Sequence, residues 1–113
     1  MEGHSGTGSD QTSVDTVLRA LADERRRQVL WQLRDTPDGV ATYDEIAAYV
    51  IACSRGVDRD GLITRLVHGD LPLLADAGLV EYDTRSETVR YYPSPLAEAV
   101  LDCAEDQRPA VSP

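Results

Sequence analysis

Apolar residues recur at helical spacing through the first third of the chain, and they predict two helices. The first apolar stripe follows a cap at Ser13 and consists of Val14, Val17, Leu18 and Leu21. Its i, i+3, i+4, i+7 spacing places these side chains on one helical face. Asp23 is suited to cap a second helix with Val29, Leu30 and Leu33 on its buried face. Residues 36–39, TPDG, have the composition of a turn.

Two further helices are predicted between residues 42 and 78. Thr42 and Glu45 fit a capping box, and the helix that they open ends near residues 54–56 with inward residues Ile46, Ala47, Val50 and Ile51. Asp58 or Asp60 can cap a fourth helix that ends at Gly78. Its apolar positions are Leu62, Ile63, Leu66, Val67, Leu71 and Leu74.

Gly69 and Pro72 interrupt the pattern of the fourth helix. Proline in a helix interior costs about 3 kcal/mol, because its ring clashes with the preceding turn and it lacks an N–H group. We therefore expect either a kink at this point or a break in which Asp70 caps the second half.

The periodicity changes from helical to alternating after Gly78. Residues 79–83, LVEYD, and 88–92, TVRYY, flank the turn TRSE and predict a β-hairpin. Ser94 or Pro95 then opens a last helix, whose buried face is predicted to carry Leu96, Ala99, Val100 and Cys103. The predicted fold is mostly α with a small β-hairpin, in the order α-α-α-α-β-β-α. It occupies residues 13–106, between a disordered tail over residues 1–12 and a flexible tail over residues 107–113.

This order of elements resembles a winged helix-turn-helix domain. Residues 18–33, LRALADERRRQVLWQL, resemble the opening of ArsR-like regulators, and residues 71–83, LPLLADAGLVEYD, resemble the end of their recognition helix and the start of their wing. The combination is also similar to an uncharacterised family of single-domain winged-helix proteins from halophilic archaea. The likeness covers about residues 14–104. It implies a fourth helix that enters the DNA major groove and a hairpin that reaches the neighbouring backbone.

Some positions depart from these families. In the halophilic family the position of Asp70 is usually histidine or another polar residue, and that of Leu73 is usually basic. We expect both differences to remove positive charge near the DNA side. Metal-sensing ArsR-like proteins carry paired cysteines near the third helix, whereas Cys53 stands alone there, so metal sensing is not carried over.

The resemblance places candidate DNA contacts on the fourth helix and on the hairpin. Arginine can hold guanine through two hydrogen bonds, and threonine or histidine can bind phosphate or base edges. Hairpin arginines can contact the phosphate backbone or enter the minor groove. The candidate residues are Arg59, Thr64, Arg65, His68, Arg85 and Arg90. The alternative is a solvated surface with ordinary arginines.

The densest basic run is Arg25, Arg26 and Arg27. One of these side chains is expected to pair with a nearby acid, and another faces DNA or a partner subunit; a purely structural role is the alternative. ArsR-like proteins are usually two-fold dimers, which implies an apolar seam between the first and last helices. The residues predicted for that seam are Val14, Val17, Leu18, Leu96, Val100 and Cys103. Alternatively, both helices complete the core of the monomer.

The overall charge of the chain is strongly negative. It has 20 acids, 11 arginines and no lysine, for a net charge of −9. This composition resembles that of proteins from salt-loving organisms, and a GC-rich genome that favours arginine codons is the alternative. In molar salt the Debye length is about 3 Å, so long-range repulsion from DNA is almost abolished. Residues 55–92 contain five arginines and seven acids, so a basic patch would depend on how the arginines cluster.

The remaining features restrict the class of protein. No apolar run reaches the length of a membrane span, and no signal peptide is evident, so a soluble cytoplasmic protein is expected. Cys53 and Cys103 lack further ligands at metal-binding spacing and are interpreted as buried free thiols. No catalytic motif is present, so we expect no enzyme activity, no metal and no cofactor.

Two functions follow as hypotheses. The first is a homodimeric transcriptional regulator that binds double-stranded DNA at promoter sites. The second is a winged-helix protein–protein interaction module that has lost DNA binding, which the acidic composition favours. The position of the arginines in space decides between them.

Overall fold

A computed structural model describes residues 14–54 and 57–108. The predicted tail over residues 1–12 and the cap at Ser13 lie outside these ranges. Six α-helices are present in the described part. They are α1 (residues 14–20), α2 (Glu24–Asp35), α3 (Tyr43–Cys53), α4 (Arg59–Arg65), α5 (Leu71–Asp76) and α6 (Pro95–Cys103). A π-helical turn (Leu66–Asp70) joins α4 to α5, and a 3-10 turn (Glu105–Gln107) follows α6.

The helices begin at the polar residues that the sequence indicated. The Asp23 carboxylate accepts hydrogen bonds from the backbone N–H groups of the first turn of α2, and Thr42 and Glu45 form the predicted capping box of α3. Asp58, rather than Asp60, caps α4. Ser94 caps α6, with a proline at the first helical position. These bonds satisfy backbone donors that have no partner within the helix.

The sheet has three antiparallel strands, one more than predicted. β1 (Val40–Thr42), β2 (Val80–Asp83) and β3 (Thr88–Tyr91) lie in the order β1-β3-β2. The predicted hairpin is confirmed as β2 and β3, while β1 is a three-residue strand that pairs with the outer edge of β3. The backbone N–H of Tyr43 donates to the Glu87 carbonyl at 2.9 Å. The end of the hairpin turn is therefore fixed to the start of α3.

The helical path continues through Gly69 and Pro72 as a π-helical turn, so the expected break with a cap at Asp70 was wrong. Asp70 makes no capping hydrogen bond. Instead, the Leu71 N–H bonds to the Leu66 carbonyl, five residues back. The extra residue in this turn lets Leu66 and Leu71 both face the core, and Pro72 follows without requiring an N–H partner.

The core lies between α2, α3, the α4–α5 segment and the inner face of the sheet. Its largest fully buried side chains include Trp31, Leu30, Leu33, Ile46, Leu62, Leu66, Leu71, Leu74, Leu79 and Leu101. The hydrophobic positions predicted for α2 and most of those predicted for α3 and α4 are thereby confirmed. Ile51, Ile63 and Val67 are only half-buried.

The first and last helices, α1 and α6, bury other residues than those predicted. On α1, Val17 is buried, whereas Val14 and Leu18 are each 46% exposed. On α6 the buried residues are Ala97 and Leu101. The predicted α6 face was wrong by about one position, since Leu96 and Val100 are half-buried and Ala99 and Cys103 are exposed.

Both cysteines are free thiols, but they are not buried as expected. Cys53 is half-buried and Cys103 is exposed. Within the described ranges, no helix is long and apolar enough to cross a lipid bilayer.

Candidate nucleic-acid interface

The side chains of the arginine run at the start of α2 are half-buried and bond to other parts of the protein. Asp70 is 2% exposed, and its carboxylate accepts hydrogen bonds from Arg25 Nε at 2.6 Å and from Arg25 Nη2 at 3.3 Å. Arg26 Nη1 contacts the same carboxylate at 3.4 Å. The Asp70 side chain therefore belongs to an internal ion cluster that joins α2 to the π-helical turn. It does not lie on the exposed face of α4, where we had expected it to lower the positive charge.

The other bonds of this run go to backbone carbonyls at the end of α1. Arg26 Nε donates to the Ala20 carbonyl at 2.6 Å, and Arg27 Nη1 donates to the Leu21 carbonyl at 2.9 Å. The last carbonyls of a helix lack intrahelical partners and form the negative end of its dipole. All three arginine side chains thus form hydrogen bonds within the protein. A purely structural role therefore agrees best with their positions.

The four candidates on the α4 segment fall into two pairs. Arg59 forms an ion pair with Asp44 at the start of α3, and Thr64 Oγ donates to the Asp60 carbonyl at 3.0 Å. Arg65 and His68 are exposed, and neither side chain has a hydrogen bond or ion pair to another described residue. Arg65 and His68 are therefore the two candidates on this segment that remain free to contact a ligand.

The hairpin turn is stabilised by hydrogen bonds to the carboxylate of Asp83. Asp83 Oδ1 accepts from the Arg85 backbone N–H at 3.0 Å, and Asp83 Oδ2 accepts from Ser86 Oγ at 3.1 Å. Both carboxylate oxygens are thus committed to the turn. The Arg85 side chain at the tip is exposed and makes no ion pair with the described part of the chain. Glu87 completes the turn with a φ of 58°.

Arg90 lies in a more acidic setting than Arg85. In the sheet it is directly opposite Glu81 of β2, and both side chains are exposed. Glu81 also accepts a hydrogen bond from the Tyr92 hydroxyl at 2.8 Å. Since opposite charges at facing strand positions attract, Arg90 is less available to an external anion than Arg85.

Sequence reasoning identified these surface arginines by their position but could not separate the free ones from the bonded ones. The strongest sequence signal, three consecutive arginines, marks the most internal group. The burial of Asp70 could have been predicted from the sequence, because this acid lies among the core residues Leu66, Leu71 and Leu74. A buried acid requires a cation beside it.

A second surface feature is an apolar groove between α1 and the start of α6. Its lining residues are Val14, Val17, Ala77, Gly78, Leu79, Ser94, Pro95 and Leu96. Val14 and Leu18 are the large exposed apolar side chains of α1. Of the six residues predicted for a dimer seam, Val17 lies mainly in the core and Cys103 is exposed at the far end of α6.

Comparison with known proteins places the chain in a family. No curated protein and no solved structure matches it. The family model described as Domain of unknown function (DUF7344) matches residues 18–90, which cover more than half of the chain and extend from before α2 into β3. The protein therefore belongs to the DUF7344 family.

Proposed function

We propose that this protein is a DNA-binding transcriptional regulator of the winged helix-turn-helix type, similar to ArsR-like regulators, which acts as a homodimer at promoter sites. The order of elements supports this proposal. A helix pair, α3 and the α4–α5 segment, is followed by a hairpin that pairs with a short strand before α3. In winged helices the second helix of such a pair contacts the major groove and the hairpin contacts the adjacent backbone.

The observation that carries the proposal is the distribution of free arginines. Six of the eleven arginines form side-chain bonds inside the molecule: Arg25, Arg26, Arg27, Arg34, Arg59 and Arg108. Four other described arginines have no side-chain bond to a described residue. Three of them, Arg65, Arg85 and Arg90, lie on the α4 segment or the hairpin, and the fourth, Arg19, lies on α1. Both carboxylate oxygens of Asp83 accept hydrogen bonds within the hairpin turn. Asp83 therefore does not form an ion pair with the Arg85 side chain.

The apolar surface of α1 supports a two-fold dimer. Val14 and Leu18 are each 46% exposed, and they lie beside the apolar groove that reaches Leu96 at the start of α6. Covering this surface with a second copy would remove apolar area from water, at about 25 cal/mol per Å². The two recognition segments would then be related by a two-fold axis, as a palindromic site requires.

The experiment that tests the proposal is DNA binding in molar KCl. The acidic composition suits a salty cytoplasm, and at that ionic strength the repulsion between DNA and the net charge of the protein is screened over about 3 Å. A pool of random duplexes, together with the DNA upstream of its own gene, is selected for binding. If neither yields a bound sequence, the regulator proposal fails.

Arg65→Ala is the diagnostic variant in this assay. If Arg65 reads a base, its removal weakens specific binding by about 1–3 kcal/mol and relaxes sequence preference at one position. Arg19→Ala, which removes an exposed arginine of α1, is the charge-matched control, with the oligomeric state of each variant measured by sedimentation. Equal affinities of the two variants would remove Arg65 from the interface.

The second candidate function is a protein–protein interaction module. Leu73 on α5 and Tyr92 after β3 are 37% and 41% exposed, and Arg59 and Arg90 lie beside acids. These features favour a protein partner over DNA. A failure of DNA selection, with retained folding, would leave this function as the better hypothesis.

A further inference from the structure

The guanidinium group of Arg108 lies over two aromatic rings. Its central carbon is 5.6 Å from the centroid of the Trp31 ring and 5.7 Å from the centroid of the Tyr49 ring. Trp31 comes from α2 and Tyr49 from α3, whereas Arg108 follows the 3-10 turn after α6. The cation therefore joins the end of the described chain to two helices of the core.

The nitrogen atoms of this guanidinium group also have acceptors. Arg108 Nε donates to the Tyr49 hydroxyl at 2.9 Å. Nη2 forms an ion pair with Asp35 at the end of α2, and Nη1 lies 3.4 Å from Glu105 Oε2. The Arg108 side chain is 20% exposed, which shields these contacts from water in part. Three acceptors and two aromatic rings thus surround one planar cation.

This arrangement discriminates between kinds of cation. A guanidinium group is planar, so it can lie against aromatic rings while its edge donates several hydrogen bonds in fixed directions. An ammonium group is a compact charge with a strongly held hydration shell and lacks the planar arrangement of donors that these acceptors surround. The cation–π contribution adds about 0.5–1 kcal/mol at exposed sites and about 2 kcal/mol when the cation is desolvated.

We infer that Trp31, Asp35, Tyr49 and Glu105 form a binding site for the guanidinium group of an arginine side chain, which we term the arginine pocket. Its ligand in this structure is Arg108 of the same chain. The inference does not depend on the proposed function, because the pocket is built from residues outside the α4 segment and the hairpin. Occupied from within the chain, the pocket fastens the segment after α6 onto α2 and α3.

Arg34 strengthens the same attachment from the other side of this segment. It contacts Asp102 at 3.0 Å and Glu105 at 3.0 Å. Glu105 therefore lies between two arginines, Arg34 of α2 and Arg108 of the segment after α6. Release of Arg108 would leave Asp35 without the cation that it pairs with, and the ring faces of Trp31 and Tyr49 would become accessible to another guanidinium group.

The test uses Trp31, which is the single tryptophan of the chain and lies in the pocket. In Arg108→Ala we expect Trp31 emission to shift to longer wavelength and the melting temperature to fall. Ethylguanidinium, added below the concentrations at which guanidinium salts unfold proteins, should reverse both changes. Ethylammonium at the same concentration should not. Arg85→Ala, which removes an exposed arginine of the hairpin, is the matched control and should respond to neither cation.

The inference is overturned if Arg108→Ala leaves Trp31 emission unchanged, or if both cations restore it equally. Arg108→Lys provides a second variant that keeps the charge, and it should resemble Arg108→Ala before ethylguanidinium is added. If the Arg108→Lys variant instead behaves as the natural protein does, the site selects positive charge alone and is not a guanidinium site.

The unaltered chain offers a measurement that does not depend on a variant folding. Ring currents from Trp31 and Tyr49 should shift the side-chain proton resonances of Arg108 upfield relative to those of Arg85. Identical resonances would contradict occupancy of the pocket. Trp31 emission that stays constant over a wide range of protein concentration assigns the bound arginine to the same chain. A concentration-dependent emission would overturn occupancy from within the chain and assign the arginine to a second copy.

Discussion

The arginines at the start of α2 and those of the α4 segment and hairpin have opposite environments. Arg25, Arg26 and Arg27 are consecutive, and their side chains bond to Asp70 or to the carbonyls that end α1. Arg65 and Arg85 stand alone in the sequence, yet they are exposed and free of ion pairs to described residues. The chain has almost twice as many acids as arginines. A run of arginines in such a sequence therefore does not indicate where an anion-binding surface lies. The positions of the competing oxygens decide which arginines remain available.

The two groups also differ in energetic terms. A carboxylate as buried as that of Asp70 loses its hydration, so removing either partner leaves an uncompensated charge inside the protein. An exposed pair such as Arg59 with Asp44 is screened by water and salt, and pairs of this kind typically contribute about 0.2–1 kcal/mol. Substitutions in the first group should therefore lower stability, and those in the second should leave it almost unchanged. If the proposed function holds, substitutions in the second group change DNA binding.

The largest expected effect is that of Asp70→Ala. It removes the carboxylate that Arg25 and Arg26 share and leaves Arg26 with only the longer contact to Asp23 at 3.9 Å. We expect the free energy of unfolding to fall by about 3 kcal/mol. Urea unfolding at constant salt measures this change. Asp76→Ala, which removes an exposed acid at the end of α5, is the matched control and should stay within about 0.5 kcal/mol of the natural protein. If both substitutions lower the free energy of unfolding equally, the buried ion cluster contributes no more to stability than an exposed acid does.

A smaller effect is expected from Tyr91, whose hydroxyl donates to Glu98 at 2.5 Å. Burial, and then the hydrogen bond to Glu98, raise the pKa of Tyr91 well above its ordinary value. The folded protein keeps this proton above about pH 10, where an unfolded tyrosine loses it. The stability that Tyr91 contributes is thus fully present below about pH 10 and decreases as the pH rises above that value.

Tyr91→Phe should therefore flatten the decline of unfolding free energy in alkaline solution, measured by urea unfolding at a series of pH values. Tyr92→Phe is the control, since Tyr92 is exposed and its hydroxyl bonds to the surface residue Glu81. If Tyr92→Phe flattens the profile as much as Tyr91→Phe does, the burial of the Tyr91 hydroxyl does not explain the alkaline response.

The smallest effect on stability is expected from Asp44→Ala, which removes the partner of Arg59. The free energy of unfolding should change by at most about 1 kcal/mol, because the pair is exposed. If the proposed function holds, the released Arg59 joins Arg65, and affinity for DNA increases in a binding titration in molar KCl. Asp38→Ala, which removes an exposed acid in the turn before β1, controls for the change in net charge. An equal gain from Asp38→Ala would mean that Arg59 has no specific role.

Features that depend on neighbours in the sequence were predicted well. Asp23, Thr42 with Glu45, and Ser94 cap their helices as expected, because a cap and its backbone donors lie within about three residues of each other. The hairpin followed from the alternation of apolar and polar residues in both of its strands. β1 was missed because three residues carry too little alternation to be distinguished from a turn, and because the strand depends on pairing with β3.

Features that depend on distant residues were not predictable in the same way. The Arg25–Asp70 pair joins residues 45 positions apart, and Arg108 reaches Tyr49 across 59 positions. The π-helical turn results from packing, since it lets both Leu66 and Leu71 reach the core although they are five positions apart. The sequence showed the conflict at Gly69 and Pro72, but the surrounding core determined how it was resolved.

The bond between the Tyr43 N–H and the Glu87 carbonyl has a mechanical consequence. Together with the pairing of Thr42 and Thr88, it fixes the turn end of the hairpin to the first turn of α3. The hairpin turn that carries Arg85 is therefore attached directly to α3 and does not project freely from the sheet. A molecule that binds both Arg85 and the first turn of α3 must therefore match a spacing that this bond sets before binding.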